Sequence, residues 1–70
     1  MRRLESERKK RGLSQAMLAR TADMHPTTVG QIESGYIGKP YTGQLAKLAA
    51  ALDWPADDAA SLLEDVSEHA

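Results

Sequence analysis

The chain contains no cysteine, which excludes a disulfide framework and any thiolate metal site. Its two histidines, His25 and His69, are too isolated to form a zinc pair, so neither a metal nor a cofactor is expected. No apolar run approaches the roughly 20 residues that span a bilayer, and the basic N-terminus lacks the apolar stretch of a secretory signal. Apolar and polar residues nowhere alternate for long enough to make a strand. What remains is a chain of 70 residues rich in Ala, Leu, Lys, Arg, Glu and Gln, read as one all-helical, cytoplasmic domain over residues 1–70. A domain this short buries only about 60% of the surface its unfolded chain exposes, so its core is small.

The formal charge of −1 conceals two opposed blocks. Residues 1–52 hold all nine Lys and Arg against Glu5, Glu7, Asp23 and Glu33, whereas residues 53–70 hold six acids and no base. Solution ions screen charge over about 10 Å, so a partner meets the charge of one face rather than the total. A basic body with an acidic C-terminal segment is compatible with an anionic partner on one side.

Caps and apolar spacing predict five helices. The first runs from about Arg2 to Arg11 with Leu4 inward, and Gly12 supplies the left-handed residue past its end. Ser14 opens the second as an N-cap, with Leu13 and Leu18 in staple relation, and Leu18, Ala19 and Ala22 continue the buried stripe. The third repeats this grammar: Met24 pairs with Val29, His25 is the cap and Pro26 the first helical residue. Val29 and Ile32 face inward and Gly35 closes the helix after Ser34. A loop from Tyr36 to Tyr41 leads to a fourth helix carrying Leu45, Leu48, Ala49 and Leu52. A fifth is expected from about Pro55, with Leu62, Leu63 and Val66 on one side and Trp54 at its junction.

Two short helices joined through Asp23 and Met24, each separately capped, match a helix-turn-helix unit, whose second helix enters the DNA major groove. More residues extend the match: Arg8 four before Gly12, the run Gly12-Leu13-Ser14-Gln15, Leu18-Ala19, Thr28-Val29, Ile32-Glu33 with Gly35, Pro40, and Leu45 through Leu52. With these, residues 4–63 resemble the Cro and phage-repressor type of helix-turn-helix domain, also called the xenobiotic-response-element family, without a gap. The resemblance implies a five-helix, lambda-repressor-like fold and a small transcriptional regulator, Cro-like and repressing, bound to double-stranded DNA.

Roles for individual positions follow from that resemblance. The outward face of the third helix, with Pro26, Thr27, Gly30 and Gln31, would meet base edges: a Gln amide suits adenine and a Thr methyl a thymine methyl. Gln15 would stand beside a phosphate at the start of the second helix, with Arg11, Thr28, Lys39 and His25 as further phosphate candidates. Arg2, Arg3, Lys9 and Lys10 are weaker ones. Arg8 occupies the family position that pairs with Glu33, which would relieve a carboxylate placed at the negative end of a helix dipole.

Two residues depart from expectation. Gly30 sits inside a helix at a cost of about 1 kcal/mol relative to alanine, so either DNA or a neighbouring helix approaches closely there. Asp23 stands where the family most often has glycine, a substitution that left-handed backbone tolerates in Asp better than in most residues. The third helix carries no Lys or Arg, which favours A·T over guanine readout.

Catalysis finds little support. Ser14, Asp23 and His25 are the one cluster with nucleophile chemistry, and Ser14 and His25 are better explained as caps. The stronger alternative is an antitoxin or adaptor module acting through protein contacts. Its acidic end could pair with a copy of itself, dock a basic partner, or pack on its own core. A homodimer on a two-fold symmetric site is expected, because one module of this size contacts few base pairs.

Overall fold

A computed structural model describes residues 1–66. Among them the chain forms four α-helices, α1 (Arg3–Lys10), α2 (Gln15–Thr21), α3 (Pro26–Ser34) and α4 (Thr42–Ala51), followed by a 3₁₀ segment at Ala56–Leu63. It is an all-α, lambda-repressor-like arrangement.

The local chemistry that starts and stops these helices is explicit. Ser14 Oγ accepts the Met17 amide at 3.0 Å and opens α2. His25 Nδ1 accepts the Thr27 amide at 3.1 Å and opens α3, with Pro26 at the first helical position. Gly12 (φ 69°) and Gly35 (φ 85°) turn the chain in the left-handed region after α1 and α3. Asp23 (φ 56°) makes the bend between α2 and α3 without glycine, while the Met24 amide bonds Ala19 O at 2.9 Å.

Leu4, Leu18, Ala19, Val29, Ile32, Leu48, Leu52 and Leu62 are buried and draw all five elements around one core. α2 packs against both α3 and α4, the small Ala19 is fully buried in the core, and Leu13, Met24 and Trp54 pack against its margin. Truncating a side chain such as Ile32 to alanine would cost about 2–5 kcal/mol, a large share of what so small a core supplies.

The C-terminal end differs from the expected helix. The segment is 3₁₀ rather than α, kinked at Asp58 (φ −115°, ψ 16°), and ends at Leu63. Ser61 Oγ donates to Asp58 O at 2.7 Å, and Trp54 Nε1 donates to both Asp58 O and Ser61 Oγ, so side chains tie up the carbonyl at the kink. Val66 therefore shares no helical face with Leu62 and Leu63. Its amide donates to Met1 O at 2.7 Å, the Arg3 amide donates to Glu64 O at 2.7 Å, and Arg2 and Asp65 form an antiparallel bridge. The first three residues and residues 64–66 are thus clasped backbone to backbone. The rest of the acidic segment, with Glu68 and His69, lies outside the described residues.

Candidate nucleic-acid interface

On α3, Val29, Ile32 and Glu33 are buried. The 3.6-residue period puts Thr27, Gln31 and Ser34 on the opposite side, with Thr27 and Ser34 exposed and Gln31 half-buried, while Gly30, half-buried, lies at the flank and Pro26, in line with Glu33 two turns on, is exposed because it begins the helix. Thr28 stands at the margin, half-buried. Glu33 is buried because it has partners. Arg8 Nε and Nη2 donate to its two oxygens at 2.7 and 3.2 Å, Gln15 Nε2 donates to Oε1 at 3.0 Å, and Arg8 Nη1 also reaches Leu13 O at 2.7 Å. One carboxylate from α3 is therefore held by α1 and by the first residue of α2. No buried side-chain polar atom among the described residues lacks a partner. The fork geometry fixes the angle of α3 more than it adds stability, because desolvation offsets much of the ion-pair attraction.

The close neighbour at Gly30 is α2. A methyl group placed there would lie 3.4 Å from Gln15 Oε1 and 3.5 Å from Nε2, ordinary contact distances. Gln15 thus lies across Gly30 and joins the start of α2 to the outward face of α3 as one surface.

The basic residues are more engaged than their number suggests. Arg3, Arg8, Lys9, Lys10, Arg11 and Lys47 each stand within 3.9 Å of a carboxylate. Arg11 bonds the Glu7 carboxylate at 2.7 Å and the Glu7 carbonyl at 2.9 Å, so its charge is partly neutralised within α1. The hydrogen bond from Arg11 is the main reason the Glu7 carboxyl titrates below its ordinary value; burial opposes it and Lys10 assists. Arg2, a weak phosphate candidate by sequence, is instead turned inward onto carbonyls. Lys39 is exposed on the loop after α3, next to the buried Pro40, and Tyr36 and Tyr41 flank it, each 81% exposed. His25 is exposed and spends Nδ1 on its own cap.

The Glu7–Arg11 pairing was visible in principle as an i, i+4 spacing. The Gln15–Glu33 bond and the Arg2 contacts, across 18 and 30 to 36 residues, have no local signal.

Compared with known families, residues 4–58 match the helix-turn-helix family. The chain belongs to that family, in its Cro and phage-repressor branch, and is a DNA-binding helix-turn-helix regulator of transcription. Neither the comparison with curated proteins nor that with solved structures gives a match.

Proposed function

We propose that the protein is a sequence-specific, Cro-like repressor that reads double-stranded DNA with the outward face of α3. The observation that carries this reading is the partition of α3 itself: Val29, Ile32 and Glu33 are held inside, while Thr27 and Gln31 face outward and Pro26 and Gly30 remain accessible at the flank, where Gln15 adjoins Gly30. In this reading Thr27 and Gln31 contact base edges and prefer A·T pairs, and Pro26 and Gly30 allow close approach of the groove wall. Lys39, Thr28, Gln15, His25 and Arg11 contact phosphates, Arg11 by exchanging Glu7 for phosphate. Two copies bind as a homodimer on half-sites about 34 Å apart.

Selection of bound duplexes from random DNA tests all of this together. The expected result is an A·T-leaning site with two-fold symmetry, and ultracentrifugation of the complex should give two chains per site. No enrichment would overturn the reading. It would favour an antitoxin or adaptor acting through protein contacts, a second reading that draws on the internal pairing of most Lys and Arg side chains. The exposed acids Asp57, Asp58, Glu64 and Asp65 are the surface such a basic partner would meet.

A further inference from the structure

We infer that Arg2 is a positioning residue for DNA reading, a clamp that fixes the C-terminal end of α3 and the loop bearing Lys39, and that the pairing of the two chain ends aims it. The inference rests on α3 being the reading helix.

The guanidinium of Arg2 donates to three carbonyls: Nη1 to Ile32 O at 3.2 Å and Ile37 O at 3.3 Å, and Nη2 to Gly38 O at 3.1 Å. These carbonyls lie at and just beyond the end of α3. The last four carbonyls of a helix have no intrahelical donor, and Ile32 lies in the last turn of α3. Gly35 N reaches Ile32 O and Ile37 N reaches Gln31 O, so the backbone closes on itself there, and Arg2 closes the turn from outside. A cation at this end also faces the negative pole of the helix dipole, and α3 has no basic residue of its own in its last turn.

Arg2 can reach this far because its own backbone is held. It is the N-cap residue of α1, extended (φ −73°, ψ 149°), and the bonds Arg3 N to Glu64 O and Val66 N to Met1 O flank it on both sides. The chain ends, the end of α3 and the Lys39 loop therefore form one connected unit. Lysine could not replace this arrangement: an ammonium is a point donor, whereas the planar fork spans carbonyls from residues 32, 37 and 38 together. A phosphate contact, by contrast, would accept lysine readily.

Arg2→Lys, Arg2→Met and Val66→Pro, which deletes the amide that bonds Met1 O, test the inference by amide hydrogen exchange in the free protein and by DNA titration over a range of salt. Both Arg2 variants should speed exchange at Gly35 and Ile37 about tenfold, as expected for losing charge-assisted hydrogen bonds. The Ala22 amide of α2 should keep its wild-type rate, and Val66→Pro should give the same pattern, weaker. On the selected site, affinity should fall severalfold while the slope of log affinity against log salt stays at the wild-type value. Wild-type exchange and affinity in Arg2→Lys would overturn the clamp. So would a salt slope shallower by about 0.9 in Arg2→Met, which would make Arg2 a phosphate ligand, or equal acceleration at Ala22, which would make the effect a general loss of stability. Unchanged exchange in Val66→Pro would overturn the link to the chain ends. Absence of DNA binding by the wild type would count against α3 as the reading helix, and the exchange experiment would still decide the clamp.

Discussion

The two ends of α3 are built on different principles. Its first turn is held by its own residues: His25 caps Thr27, Pro26 presets the backbone, and Met24 packs at the core margin. Its last turn is held from elsewhere, by Arg8 and Gln15 on Glu33 and by Arg2 on Ile32 O and the loop beyond. The contrast fits a helix that must present one end and anchor the other. Long-range bonds at the first turn would bury Thr27, the side chain that the reading face exposes; those at the last turn set the angle and cover that face only at Gly30, where Gln15 lies.

The largest test of this contrast is Arg8→Leu, which leaves Glu33 buried with Gln15 as its remaining side-chain donor. A loss of about 3–5 kcal/mol is expected for half of a buried pair, measured by urea denaturation. Site affinity should drop with it as α3 tilts, and a variant that binds its site as the wild type does would show that the anchor does not set the angle. Next comes Gly30→Ala. The added methyl meets Gln15 at ordinary distance, so helix propensity should win and stabilise the free protein by about 1 kcal/mol. If DNA affinity is untouched as well, the glycine serves neither end and close approach of DNA at that point is wrong.

At the locally held end, His25→Ser exchanges a weak cap for a strong one. Thermal melts should show a gain of a few tenths of a kcal/mol, at most about 1. The smallest effect concerns α1. Because Glu7 titrates below its ordinary value, its pairing stabilises the fold above the ordinary carboxylate range, and this is lost as pH falls through the lowered folded value. Glu7→Gln should therefore be slightly less stable than the wild type near neutral pH, and the gap should close in acid. A gap that persists at low pH would assign it to packing.

What could be read from the sequence follows the same division. Locally determined features were legible: Ser14, His25, Pro26, Gly12 and Gly35 act within a few residues of themselves, and the bounds of α3 at Pro26 and Ser34 agree with the structure. The Arg8–Glu33 pairing was reached through resemblance alone, since 25 residues separate its partners. Features that depend on tertiary placement were hidden. Neither the inward turn of Arg2 nor the Gln15–Glu33 bond leaves a periodic trace. Near the C-terminus, apolar spacing suggested a helix through Val66, but Ser61 and Trp54 compete for the backbone at Asp58, and the N-terminus captures Val66.

The internal pairing of α1 bears on how the protein arrives at DNA as well as how it sits there. With Lys9 beside Glu5, and Lys10 and Arg11 sharing Glu7, two of three positive charges are offset and the positive field reaching solution from this segment is reduced. Encounter should then proceed near the unsteered range of about 10⁵–10⁶ M⁻¹s⁻¹, with a shallow dependence on ionic strength. Discrimination between sites would fall to residence time, set by how long the strip on α3 stays seated in the groove.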